Sequence, residues 1–238
     1  MQNHALDILP ASLSSLLGFV VILAAVIVSM LAAVHFSYRN SNRTPGVMTL
    51  ITTAILVLWL GVYSLVVANG AIFQLPWHGL PIVLGSTILI CLVLSFSPIA
   101  TRIAHCQSLS ALVTFQAFRL PLELVLHSWA VQGVIPATMT WTGQNWDIIS
   151  GAVCLLAAPL ANKRIAVAWF ANIIGCVLLL NVLRVVVLSS PLPFAWGQEP
   201  SLLLVFHLPY SLILPVCVGG AIIGHIVLTR ALLEKIQH

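Results

Sequence analysis

Charged side chains are almost absent from this sequence. Only 6% of its 238 residues are Asp, Glu, Lys or Arg, against roughly 25% in an average soluble domain. A chain so poor in charge has no means of covering a globule with solvated surface. A soluble domain is therefore excluded, and the exterior must face lipid. Lysine is scarcer still, with Lys163 and Lys235 alone. Both fall at the ends of apolar runs, which excludes a retinal-type Schiff base deep in the last helix. No H-E-x-x-H, G-x-S-x-G or phosphate-loop sequence occurs. Cys91, Cys106, Cys154, Cys176 and Cys217 form no C-x-x-C pair and read as small buried hydrophobes. Nothing alternates with period two over the lengths a membrane barrel needs. The basic residues are scattered and the net charge is only +4, so no nucleic-acid surface is expected.

What remains is apolar: 61% of the residues, with a mean hydropathy of +1.11. About 20 such residues cross a hydrocarbon core as a helix, the only open form whose backbone needs no outside partner. Seven segments qualify: residues 15–36, 47–68, 80–100, 109–135, 146–161, 165–188 and 202–228. The fifth is the shortest. Residues 1–14 carry Asp7 and no Lys or Arg, so the first run reads as an anchor and not as a signal peptide. Arg39 and Arg43, then Arg102, then Lys163 and Arg164, then Arg230 and Lys235 follow the odd-numbered segments, and the other loops hold no Lys or Arg. Basic loops stay in the cytoplasm. The expectation is an all-α, single-domain seven-transmembrane-helix bundle in a bacterial cytoplasmic (inner) membrane, N-terminus outside and C-terminus cytoplasmic. Trp77, Trp141, Trp146 and Trp196 then form an outer aromatic belt.

Ionisable residues inside such segments cost about 2.5–3.5 kcal/mol each and are candidates for function. The fourth segment carries Q-x-x-R-x-P-x-E-x-x-x-H. At 3.6 residues per turn, Gln116, Arg119, Glu123 and His127 share an arc of roughly 80°. Pro121 in the same stretch of sequence frees the Ala117 carbonyl. Asn145 and Asp147 open the fifth segment, Asn181 and Arg184 lie late in the sixth, and His207 precedes Pro209 in the seventh. Together these nine residues predict a buried polar site. Its two arginines balance its two carboxylates, and it opens toward the outer side.

Simpler readings stand beside that one. Arg119 and Glu123 at i, i+4 pair with each other, Arg184 snorkels to the surface, and Asn145 caps the fifth helix. His207 is a core histidine, and Gly220 with Gly224 marks close helix packing. His35, His78, His105, His225 and His238 receive no role.

The stretch F-R-L-P-L-E-L-V-L followed by I-P-A-T-M-T-W-T-G-Q-N-W-D-I-I-S-G resembles a group of uncharacterised bacterial multi-pass membrane proteins with R-x-P-x-E and M-T-[FW]-x-G-x-N-[FW]-D-I segments. N-V-L-R-V-V-V-L-S-S-P-L-P-F and F-H-L-P-Y are similar too. The resemblance implies that Arg119, Glu123, Asn145, Asp147 and Arg184 belong together, and implies no chemistry. The residues themselves favour a transporter or channel for a proton or small solute, with Glu123 and His127 as binding or relay groups. Two alternatives are a membrane-embedded enzyme acting on a lipid-phase or anionic substrate, and a redox protein whose His127 and His207 ligate haem b or a metal. A structural subunit with unknown protein partners is the fourth.

Overall fold

The computed structural model describes residues 8–39, 44–72, 75 and 79–237. Asp7, Arg43, Trp77, His78 and His238 of the sequence reading lie outside the described residues.

All regular structure among the described residues is helical. Helices α1 (Leu13–Tyr38), α2 (Pro45–Ala68) and α8 (Ile165–Ser189) are continuous. Their starts follow from local chemistry. Ser12 Oγ accepts from Ser15 N at the head of α1, and Pro45 fills the first turn of α2, where its missing N–H costs nothing. Five helices are long and apolar enough to cross a membrane. They are the helices of a multi-pass membrane protein.

The third expected segment is a broken one. α3 (Gly79–Ser95) and α4 (Pro98–Cys106) meet at 59° and make a sixth crossing only if counted together. Ser97 caps α4 through Ala100 N, and Pro98 cannot continue α3. Arg230 seals the break, donating to Ser95 O at 2.7 Å and to Thr101 Oγ1 at 2.7 Å.

The fourth segment is helical over Leu109–Val131 and ends four residues before the expected limit. Within it α5 (Leu109–Phe115) passes through a 3-10 turn at Gln116–Phe118 into α6 (Arg119–Val131). The tightened turn stands just before Pro121, which has no N–H to continue the α-helical pattern.

Two expectations need correction. The seventh segment is not helical from residue 202: the helix starts at Tyr210 with a 3-10 turn and a π turn over Ile213–Val218, then runs as α9 (Gly219–Gln237). Pro209 and Pro215 explain the late, irregular start, since neither supplies an N–H. The fifth segment, α7 (Asp147–Ala161), has 15 residues, about 22 Å of helix. It starts inside the bundle. A Cβ on Gly151 would stand 2.5 Å from Leu120 N, so α7 enters at the level of Glu123, about 12 Å short of the end of α6. Residues 132–146 fold down into the bundle to reach it. Irregular backbone at such depth is tolerated only where protein bonds it. Here Gln144 N donates to Thr138 O at 3.0 Å and Asn145 N to Thr140 O at 3.2 Å.

The helices gather at two ends. Arg102 Nε donates to Ser37 O at 2.9 Å, and Ser110 N to Asn162 Oδ1 at 3.0 Å. With Arg230 at the α3–α4 break, the basic residues of successive connections share one end. At the opposite end Ala11 N donates to Tyr210 Oη at 3.0 Å, and Trp129 Nε1 to Ser15 Oγ at 3.1 Å. Trp129 packs edge-on against both Phe19 and Tyr210 and joins α1, α6 and the turns that precede α9 in one core. α2 lies along α1 and is otherwise mostly exposed.

Candidate functional site

The start of α6 and the start of α7 bring the strongest sequence candidates together. Arg119, 1% exposed, directs Nη1 to Asp147 Oδ1 at 2.9 Å, Ser150 Oγ at 2.7 Å and Gly175 O at 3.1 Å. The ion pair therefore joins α6 to α7, and the expected Arg119–Glu123 pair within α6 is replaced by it. The reason is reach. The bare Gly151 lets α7 approach α6 closely enough for the longer arm of Arg119 to cross between helices.

Glu123 is left to a neutral partner. Its Oε1 accepts from Asn145 Nδ2 at 2.7 Å, and Oε2 has no hydrogen-bond partner among the described residues. Asn145 also donates to Met139 O at 3.1 Å and accepts from Asp147 N, the first residue of α7, at 3.2 Å. The N-cap position is Trp146, which makes no side-chain cap bond, so the expected Asn145 cap is displaced by one residue; Asn145 instead ties Glu123 to the positive end of α7. A cavity of about 50 Å³ adjoins Arg119, Glu123, Asn145 and Asp147. That exceeds the roughly 10–15 Å³ one water needs. Leu202, Leu204 and Val205 line it as well. Part of the 190–209 connection therefore packs over the site on the side where the sequence suggested an opening.

Gln116 is fully buried and donates through Nε2 to Ala221 O at 3.3 Å, with Oε1 unpartnered. Its amide sits where a Cβ of Gly224 would be. The G-x-x-x-G of α9 thus marks close packing against a polar side chain. His127 is set apart. Its ring stacks on Trp141 at 4.2 Å, with Nδ1 buried and unpartnered.

Three candidates do not join. Arg184 is exposed, donates to Asn181 Oδ1 at 3.0 Å and to Gln144 Oε1 at 3.3 Å, and lies over Trp196. Asn181 Nδ2 in turn donates to Gln144 O at 2.7 Å. These two form a surface cluster, so the balance of two arginines against two carboxylates is corrected to one against two. His207 lies on no helix; it sits in the bend before Pro209, where its carbonyl accepts from Ser211 N at 2.8 Å. The two histidines proposed as haem or metal ligands from facing helices therefore do not both stand on helices. Among the described residues, no three His, Cys, Asp or Glu side chains gather in a set fit to hold a metal ion.

The sequence reading missed the lower half of the polar chain. Ser150, buried on α7, accepts from Arg119 and faces the bare backbone of Gly175. His225, 2% exposed on α9, lies across the same glycine. The hydrogen bonds fix its tautomer. Thr229 Oγ1 donates to His225 O at 2.8 Å and so accepts from Asn172 Nδ2 at 2.7 Å. Asn172 Oδ1 is thereby turned toward His225 Nδ1 at 2.8 Å, which must carry the proton. The lone pair of His225 Nε2 then points at the Gly175 slot, where it has no partner. The available signal was two glycines, Gly175 and Gly224, each beside a polar side chain once the helices pack, with Gly151 against the backbone of Leu120.

No curated protein and no solved structure matches the chain. A family model does, over residues 76–233, a stretch that takes in the whole polar site and leaves out α1 and α2. The chain belongs to that family, described as a domain of unknown function (DUF8737).

Proposed function

We propose that this is a seven-pass protein of the bacterial cytoplasmic membrane, N-terminus outside, that passes a proton or small solute through its buried polar site. One observation carries the reading. Two buried carboxylates face one guanidinium, and Arg119 is committed to Asp147. A buried charge without a counter-charge is costly, so Glu123 is neutral when it holds a proton and is ionised only beside a small cation. Its free Oε2 and the adjoining cavity give that partner a place. From there Asn145, Asp147, Arg119, Ser150, His225, Asn172 and Thr229 make a chain of polar groups toward the basic end. Gly175 stands at its one gap, between Ser150 and the unpartnered His225 Nε2. Polar groups in such chains are the usual means of proton relay in membranes.

Purified protein in liposomes loaded with a pH-sensitive dye should collapse an imposed proton gradient at least tenfold faster than empty liposomes. Glu123→Gln, which keeps size and hydrogen bonding, should return the rate to the empty-liposome value with an unchanged melting temperature. A wild-type rate equal to that of empty liposomes would sink the proton reading.

The orientation rests on the shared basic end. α7 counts as a pass because the folded-in residues 132–146 make up its missing length. Single cysteines in a cysteine-free background at Arg102 and Lys163 should react with a membrane-impermeant maleimide only in inverted vesicles. Those at Thr142 and Gln198 should react only in intact cells. A reversed pair overturns the seven-pass count. The competing reading, a membrane-embedded enzyme acting on a lipid-phase substrate, draws its support from an apolar cleft that ends at Phe118.

A further inference from the structure

A second, larger cavity lies beside the polar one. It is a cleft of about 630 Å³ between α1, α2, α4, α5 and α9, lined almost wholly by apolar side chains, Met30, Ile55, Trp59 and Ile103 among them. The cleft runs inward to Phe115, Phe118 and the small residues Gly220 and Gly224. Among the described residues, one side chain lines both spaces, and it is Phe118. The cleft and the cavity of Arg119 and Glu123 thus meet at Phe118. Phe118 ends the 3-10 turn that precedes Pro121, where the regular helical bonding is interrupted. Its neighbour Phe115 packs on it at 5.6 Å.

The polar side of this wall makes a specific request. Arg119 Nη2 is a buried donor without an acceptor, and Glu123 Oε2 is a buried acceptor without a donor. A hydroxyl satisfies both, accepting from the guanidinium and donating to the carboxylate, as a water does; the apolar cleft that meets the cavity at Phe118 favours a hydroxyl that carries a chain. A carboxylate or phosphate head would bring negative charge to a site that already holds two carboxylates against one arginine, and a plain hydrocarbon would leave both atoms unpaired. The cavity, several times the space one water needs, has room for a hydroxymethyl group.

We propose that the cleft and the polar cavity form one site for a long-chain alcohol, its chain in the apolar cleft and its hydroxyl between Arg119 and Glu123, with Phe118 as the partition that the chain passes. The juxtaposition requires no proton passage, so it stands or falls apart from the transport reading.

The test uses the full-length protein in detergent and a hexadecanol analogue carrying a photoreactive diazirine in its chain. Labelling should fall on peptides containing Phe115, Phe118 and Gly220, and should drop at least tenfold under excess hexadecanol. Equal hexadecane or hexadecanoate should leave it nearly unchanged. Glu123→Gln should keep labelling, since an amide oxygen still accepts, whereas Glu123→Leu should remove the preference for the alcohol over hexadecane. Should Glu123→Leu fold poorly, Phe118→Trp, which thickens the partition and leaves the polar pair alone, should lower labelling at these peptides by a similar factor. Equal competition by all three compounds, or labelling confined to the exposed face of α2, overturns the assignment. A protein that shows this selectivity yet moves no protons retains the alcohol site and loses the transport reading.

Discussion

Replacing Arg119 by methionine should destabilise the protein by about 3–5 kcal/mol, because it leaves Asp147 buried without its cation. The informative measurement is the rescue. Arg119→Met combined with Asp147→Leu removes both charges of the pair and should recover most of the loss, since an apolar pair of similar volume replaces a buried ion pair at little cost. Arg119→Met combined with Glu123→Leu should stay destabilised, because Asp147 remains charged and alone. Unfolding of the four proteins in detergent distinguishes the two cases. Rescue by the Glu123 double variant and not by the Asp147 one would show that Arg119 pairs along its own helix, against the geometry described above.

Gly151→Ala is the second large effect. The added methyl would meet Leu120 N at 2.5 Å and Leu120 Cα at 2.9 Å. These are backbone atoms, so no side-chain rotation relieves the contact and α7 must move off α6. Overpacking of this kind costs about 1–3 kcal/mol, and the displacement also lengthens the Arg119–Asp147 bond. Gly85→Ala in α3 is the matched control. Nothing lies within 4 Å of its added Cβ, and alanine in a helix is favoured over glycine by up to about 1 kcal/mol. The first variant should melt lower than wild type and the second no lower. Equal melting temperatures would mean that the α6–α7 contact is loose and does not set the site.

The sequence made the helical, lipid-facing character plain, since hydropathy and charge depletion are summed over whole segments. It also singled out Gln116, Arg119, Glu123, Asn145 and Asp147, because an ionisable or amide side chain in an apolar run stands out without knowledge of packing. The resemblance to an uncharacterised family accords with the family that matches residues 76–233. Pairing was not legible. Arg119 and Glu123 at i, i+4 satisfy the local rule for an ion pair, and only the approach of α7 at Gly151 shows that a partner 28 positions away is nearer. Arg184 was open to two readings, a member of the buried site or a side chain that snorkels to the surface, and its exposure accords with the second; helix rotation, which hydropathy does not encode, separates it from Arg119. His225 was passed over because it lies near the end of the last segment. Its ring packs against Gly175 on α8, and a glycine in a sequence says nothing of what fills the space it leaves.

The short α7 has a consequence for how the chain enters the bilayer. An insertion machinery that releases segments one at a time favours about 20 apolar residues, and α7 offers 15 with Asp147 at their head. The turn at Asn162 and Lys163 joins it directly to α8, 25 residues long and strongly apolar. The two therefore enter as a hairpin, the longer arm carrying the shorter. Arg119 precedes its anion by 28 residues and is therefore synthesised before it. Arrival of the hairpin neutralises Arg119 and gives α7 a protein environment in the same event, so the short helix is a late component that completes the membrane domain from within.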